Sequence, residues 1–332
     1  MIIHPKTTAD QSTIEELNEK YSGILSYHDG RPVIVTSSKI KKLEDEDQQN
    51  VEASYSFDSD IQLASRHYIA QKRQINVSGL PLGGETNQTY AIAGPCSVES
   101  EEQILNTAQF LYEKGVKILR AGCYKPRTSP YTFQGMGEEG LKLLDHVRKK
   151  YGFKIITEVK DATHVDKVIE YADIVQVGTK AMYDQGILNA CAQSDRPVLI
   201  KRGFAATLQE FVQAAEFVMS GGNDQVILCE RGIRTFENKT RFTLDLCGVA
   251  FLKAETNLPV VVDPSHAMGK AYGVPDLTRA SLAMGVEGLL IEVHPNPKEA
   301  LSDSAQQLNF DQFSELYDSL KHLAPATGYS LA

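Results

Sequence analysis

The chain has 332 residues, 42% of them apolar and 23% charged, the profile of a globular protein of about two domains. A net charge of −9 argues against nucleic acid or an anionic membrane surface as partner, while a local basic cleft for small anions stays open. No apolar run approaches the roughly 20 residues of a membrane span, and MIIHPKTTADQ at the start lacks a signal-peptide core.

The first 66 residues form a small unit of their own. MIIHP is a short apolar run, and TTADQSTIEELNEKY follows with Ile14, Leu17 and Tyr21 at helical spacing. HDGRPVIVTSS (28–38) reads as a turn into a strand, 39–50 as a strongly polar stretch with a solvated charge run at 39–47, and VEASYSFDSD as a further strand. This β-α-β-β-(α)-β order predicts an α+β ferredoxin-like module over 1–66, suited to docking, assembly or regulation. Residues 67–88 read as a linker and barrel-bottom hairpin, with LPLGGETNQ (80–88) as a turn between INVSG and TYAIAG.

From residue 89 the pattern is regular. Eight β-rich runs recur: TYAIAG (89–94), VKILRAG (116–122), FKIITEV (153–159), DIVQVGT (173–179), RPVLIKRG (196–203), QVILCERG (225–232), LPVVVDPS (258–265) and GLLIEVHP (288–295). Amphipathic helical segments such as TLQEFVQAAEFVMSGG separate most of them. Near-continuous apolar strands belong to a parallel sheet buried on both faces. Eight βα units over 89–332 match an α/β (β/α)8 TIM barrel, which takes about 250 residues. An open doubly wound sheet is the competitor, but no GxGxxG follows any strand.

A barrel of this kind places its chemistry at the C-terminal ends of its strands. There the charged residues gather: Arg120 with Lys125, Glu158, Lys180, Lys201 with Arg202, Glu230 with Arg231 and Arg234, Asp263 with His266, and Glu292 followed by Asp303. Two groups emerge. Cys96, His266, Glu292 and Asp303 make a mixed S/N/O set suited to one divalent transition metal, with Mn, Fe, Zn and Co all tolerated. Singly, each has a bland reading as a small core residue, a cap or a surface group. Arg120, Lys125, Arg127, Lys180, Lys201, Arg202, Arg231 and Arg234 form a basic mouth that calls for phosphate or carboxylate partners. For Arg202 and Arg234 a solvated rim is an equal alternative. The residues alone thus indicate a metal-dependent barrel enzyme acting on phosphorylated or carboxylated small molecules. The five cysteines (Cys96, Cys123, Cys191, Cys229, Cys247) are scattered without a CxxC pair, which suits thiols in a reducing cytoplasm. Cys191, Cys229 and Cys247 read as core residues.

The strings AGPCSVES, LRAGCYKPRTSPYTFQG, PVLIKRG, ILCERGIRTFE, VDPSHAMGK and IEVHPNPKEALSDSAQQL closely resemble 3-deoxy-D-arabino-heptulosonate 7-phosphate (DAHP) synthase. The resemblance is to the short barrel subtype related to 3-deoxy-D-manno-octulosonate 8-phosphate (KDO 8-phosphate) synthase. It covers residue 89 to the C-terminus, and the front module is more weakly similar to the regulatory domain of some members. It implies metal-dependent condensation of phosphoenolpyruvate (PEP) with erythrose 4-phosphate, the entry step of the shikimate pathway. It implies Cys96, His266, Glu292 and Asp303 as metal ligands and Arg120, Lys125, Lys201 and Arg231 as the PEP cradle. It gives Lys125 a general-acid role, has Glu158 orient water, and places Arg127 and Thr128 at the aldehyde substrate's phosphate. The family usually carries an Arg in a GAR-type string after the fourth strand. Here the string is GTKAM, so Lys180 keeps the charge without the bidentate fork. The resemblance further implies a homotetramer and raises Tyr or Phe as an effector of the front module. Two alternatives remain: KDO 8-phosphate synthase using arabinose 5-phosphate, against which KPRTS (125–129) argues, and a catalytically inactive aromatic amino-acid sensor.

Overall fold

The computed structural model describes residues 1–28, 30–125 and 129–332. The chain opens with β1 (Ile2–Pro5), α1 (Gln11–Lys20), β2 (Ile24–His28), β3 (Arg31–Val35) and β4 (Val51–Tyr55). They form an antiparallel sheet in the order β2-β3-β1-β4, the order of a ferredoxin-like module. Strand alternation splits its apolar residues between two faces. Ile3 and Ile34 pack with Ile14, Leu17 and Tyr21 of the helical layer, while Ile2, Val33 and Val35 join the core of the barrel. Asp10 caps α1 by accepting the Thr13 N–H. Where a second helix would stand there is only a single 3₁₀ turn, Gln48–Asn50. The 39–47 run is more than a solvated charge stretch: Leu43 is buried, and Glu44, Glu46 and Asp47 all close on Lys20 at 2.7–2.9 Å.

Next come β5 (Gln74–Val77) and β6 (Leu80–Gly83), paired antiparallel. This corrects the reading of LPLGG as a turn. The turn lies one step earlier, at Ser78 and Gly79, which both adopt positive φ (48° and 91°) as a two-residue hairpin of the I′ kind requires. Ile75, Val77 and Leu82 of this hairpin pack with Tyr90, Ile92, Ile118, Ile156, Leu199 and Leu290, so it stoppers the inside of the barrel.

The barrel strands are β7 (Gln88–Gly94), β8 (Ile118–Arg120), β9 (Lys154–Val159), β10 (Ile174–Val177), β11 (Val198–Lys201), β12 (Val226–Glu230), β13 (Val260–Val262) and β14 (Gly288–Glu292). Each pairs in parallel with its successor, and β14 pairs with β7 to close the ring. Around it run α2 (Glu101–Lys114), α3 (Glu138–Tyr151), α4 (Val165–Tyr171), α5 (Gln185–Ala192), α6 (Leu208–Ser220), α7 (Leu246–Glu255), α8 (Pro264–Met268), α9 (Val274–Ala283) and α10 (Phe310–Ala326). A two-residue strand, β15 (Ser330–Leu331), adds to the start of β7. Closure is what lets runs such as VVV and GLLIE be buried on both faces. Cys191 and Cys229 lie in the core as expected; Cys247 is exposed on α7 instead.

The module is tied to the barrel by polar contacts as well as apolar ones. Glu216 on α6 accepts the backbone N–H groups of Gln62, Leu63 and Ala64 at 2.7–3.1 Å. Asp224, before β12, accepts from His28 Nδ1 at 2.8 Å and lies 3.2 Å from Arg73 Nη1.

Candidate active site

The C-terminal ends of the strands bring together Cys96 after β7, Glu292 at the end of β14, His266 on α8 after β13, and Asp303 in the segment after β14. Cys96 Sγ is 3.4 Å from Asp303 Oδ2. His266 Nε2 is 3.4 Å from Glu292 Oε1 and 3.7 Å from Asp303 Oδ2. Four ligands placed about 2.0–2.3 Å from a tetrahedral metal lie roughly 3.3–3.8 Å from one another. Cys96, Glu292 and Asp303 offer ligand atoms within 4.8 Å of one another, and His266 Nε2 approaches the two carboxylates at such a spacing. Glu292 Oε1 is buried and makes no hydrogen bond of good geometry, its neighbours being Arg120 Nη1 at 3.1 Å and His266 Nε2 at 3.4 Å. His266 Nδ1 faces Asp263 Oδ2 at 2.7 Å, which directs Nε2 toward the cluster.

The electrostatics suit the same role. Burial holds His266 below its ordinary value, against the pull of Asp263 and Glu292. Burial alone would raise Glu292, but His266 and Arg120 outweigh it and keep the carboxylate ionised. For Asp303, His266 and Arg241 likewise overcome burial and hold its carboxyl below the usual range. Burial and Glu292 push the Cys96 thiol up to about 12, against the pull of Lys125, whose Nζ is 3.1 Å from Sγ. The thiol thus needs a metal to become a thiolate, and binding would release its proton.

Beside the cluster lies a cavity of about 260 Å³ lined by Lys125, Glu158, Thr179, Lys180, Lys201, Phe204, Arg231, Arg241, His266 and Asp303. Lys201 Nζ donates to Asp263, which His266 and Lys201 together hold well below the carboxylate range despite its burial. Arg231 packs its guanidinium 4.2 Å from the ring centre of Phe242 and 5.1 Å from that of Phe204. Its Nε is buried without a partner. A desolvated cation with an unmet donor, among three lysines, calls for an anion. Glu158 is oriented by Gln176 Nε2 at 3.2 Å, and Gly178 leaves it room: a Cβ there would collide with Glu158 Oε1.

The residues singled out from sequence are distributed as follows. Lys125, Glu158, Lys180, Lys201, Arg231, His266 and Asp303 line the cavity. Arg120 lies buried outside the lining, 3.1 Å from Glu292 Oε1, with its own Nε unpartnered. Asp263 sits behind His266 and Lys201. Arg202 turns away from the mouth into a buried pairing with Glu230 and Asp245 at 2.9 and 2.8 Å. Arg234 is exposed, 5.7 Å from the ring centre of Phe204, and does not line the cavity. Arg127 and Thr128 fall outside the described residues. Arg241, Phe204 and Thr179 were not anticipated. Their positions follow from loop paths that no periodicity encodes.

Residues 72–327 match the DAHP synthetase I family. A phospho-2-dehydro-3-deoxyheptonate aldolase of Thermotoga maritima is 46% identical over 266 residues, covering 80% of this chain and 78% of that protein. A 2-dehydro-3-deoxyphosphooctonate aldolase of Methylobacillus flagellatus is 36% identical over 255 residues, covering 70% of this chain and 90% of that protein. The crystal structure of the Thermotoga maritima DAHP synthase superposes with a TM-score of 0.81 at 39% identity, over 100% of this chain and 99% of that one. The chain belongs to the DAHP synthetase I family.

Proposed function

We propose that the protein is a metal-dependent DAHP synthase, joining PEP to erythrose 4-phosphate with release of phosphate. The observation that carries this is the juxtaposition of a four-residue metal-type cluster with a desolvated cationic cavity sharing His266 and Asp303. The greater identity to the heptonate than to the octonate relative supports the four-carbon aldehyde over arabinose 5-phosphate.

Cys96, His266, Glu292 and Asp303 would hold one divalent ion, and that ion supplies a Lewis acid for the aldehyde carbonyl. Lys125, Lys180, Lys201 and Arg231 hold the carboxylate and phosphate of PEP, with Arg120 contributing its free Nε from the buried layer. C3 of PEP forms the new bond to the aldehyde carbon, and Lys125 delivers a proton to the aldehyde oxygen. Glu158 orients the water that adds at C2. The resulting phosphohemiketal expels inorganic phosphate. Negative charge grows on the alkoxide and phosphate, and fixed cations stabilise it without reorganising. Arg127 and Thr128 are assigned the aldehyde's phosphate.

The division into 1–66, 67–88 and 89–332 belongs to the same reading, as does regulation through the front module by Tyr or Phe. A cavity of about 490 Å³ at the seam, lined by His4, His28, Arg31, Tyr68, Arg73 and Asp224, supports it. It offers Arg31 to a carboxylate and Asp224 Oδ1, buried and unpartnered, to an ammonium group. A homotetramer belongs to the same reading. The free thiols fit the cytoplasm, and no helix among the described residues is long and apolar enough to cross a membrane.

The test is product identification. Labelled PEP is incubated with Mn²⁺ and either erythrose 4-phosphate or arabinose 5-phosphate, and the products are read by mass spectrometry. A seven-carbon product with the first aldehyde supports the reading; an eight-carbon product alone would replace it with KDO 8-phosphate synthase.

A further inference from the structure

This inference rests on the metal-site reading above and concerns what aims its two carboxylates. Arg241 Nη1 lies 3.4 Å from Asp303 Oδ1, and the same nitrogen donates to Gln306 Oε1 at 2.7 Å. Gln306 Nε2 in turn donates to Glu292 Oε2 at 2.7 Å. The chain thus ties Asp303 through Oδ1 and Glu292 through Oε2, while Arg120 faces Glu292 Oε1. The other oxygen of each, Asp303 Oδ2 and Glu292 Oε1, is the one that approaches His266 Nε2. The amide of Gln306 can serve both neighbours in one orientation only, oxygen toward the guanidinium and nitrogen toward the carboxylate.

Glu292 is also held by its strand and by Arg120 Nη1 at 3.1 Å from Oε1, so Asp303 depends more on the chain. Asp303 lies outside regular structure with φ of 45°, in the left-handed region, so its backbone needs support to stay there. Arg241 is itself seated by its N–H donating to Met268 O at 3.2 Å and by the closeness of its stem to Gly269. Gly269 has φ of 72°, and a Cβ there would collide with Arg241 Cβ. Gln306 is buried.

We propose that Arg241 and Gln306 are positioning residues of the metal centre, acting as one chain that fixes which oxygen of Asp303 and of Glu292 faces the ion. Because Arg241 also lines the anion cavity, the chain links the two halves of the site. A competing account gives the opposite sign. If the guanidinium merely stood in for a missing cation, the incoming ion would displace it, and its removal would tighten metal binding.

The experiment is Co²⁺ titration of chelator-stripped full-length protein, read by thiolate-to-cobalt charge transfer and by the visible bands that report coordination geometry. Cys96→Ser serves as control, and circular dichroism checks folding. Arg241→Ala and Gln306→Ala are each expected to weaken Co²⁺ binding by about 10–100-fold and alter the visible bands. The double variant should be little worse than the more severe single variant, because the two act in one chain. Arg241→Lys should fall between wild type and Arg241→Ala. Arg241 is half-exposed, so its variants stay informative if Gln306→Ala fails to fold. Unchanged or tighter binding in Arg241→Ala overturns the proposal. Absence of the charge-transfer band in wild type, or its persistence in Cys96→Ser, overturns the metal-site reading instead, and the proposal with it.

Discussion

Arg120 Nη1 lies 3.1 Å from Glu292 Oε1 in an ion pair whose side chains are 3% and 0% exposed. The carboxylate proposed as a metal ligand is therefore compensated by a buried cation before any metal arrives. Deleting one partner of such a pair leaves the other charged and desolvated. Arg120→Met is expected to cost roughly 3–5 kcal/mol of stability in the metal-free protein. Urea denaturation monitored by circular dichroism checks this; an unchanged midpoint would mean the pair is stabilised by something else.

Gly178 is the only residue type that leaves Glu158 where it stands, because any Cβ would meet its carboxylate. Gly178→Ala is expected to displace Glu158 and lower kcat by about 100-fold, the scale of a misplacement near 1 Å. Metal affinity should stay unchanged, since neither residue belongs to the cluster. Steady-state kinetics beside Co²⁺ titration would separate the two effects.

Lys180 lines the cavity with a point charge where a guanidinium would offer a planar fork. Lys180→Arg is expected to lower KM for PEP by roughly 3–10-fold, the worth of part of one charge-assisted hydrogen bond. Initial rates across a PEP titration give the answer, and a raised KM would show that the site is shaped around lysine.

Burial raises the Glu216 carboxyl to about 7, although the N–H groups of Ala64, Gln62 and Leu63 pull it down. With the folded value above the unfolded one, the folded state binds the extra proton. The contribution to stability is complete below about 4.5 and is lost as pH rises through about 7. Glu216→Gln should remove this component, flattening the pH dependence of Tm across that window. A wild-type slope retained in the variant would assign it to another group.

The barrel is legible in the sequence because its strands are buried on both faces and end in charge. VVV before Asp263 and GLLIE with its terminal Glu292 carry both signals in a few residues. Neighbours at a strand end are harder to read. Lys201 and Arg202 are adjacent, yet the first reaches Asp263 and the second Glu230 and Asp245. Successive side chains of an extended chain point to opposite sides, and a one-residue error in where the strand stops exchanges their roles. Asp303 lies well beyond β14 and is brought back by contacts between distant loops. Ser97 meets Ser302, Glu99 accepts the Leu301 N–H, and Gln307 accepts the Cys96 N–H. Asp303 was legible as a carboxylate following the eighth strand, and the family resemblance assigned it the same role. Arg241 was illegible because Met268 and Gly269 decide its path, and both lie at the end of α8, distant in sequence.

One divalent ion and the cationic cavity are proposed to act together on PEP and a four-carbon aldehyde. Phosphate release from PEP by chelator-stripped protein, with erythrose 4-phosphate or arabinose 5-phosphate and with or without Mn²⁺, tests it most directly. Release is expected only with erythrose 4-phosphate and only after metal is restored. Release that persists without metal, or none with either sugar under any divalent ion, would contradict it.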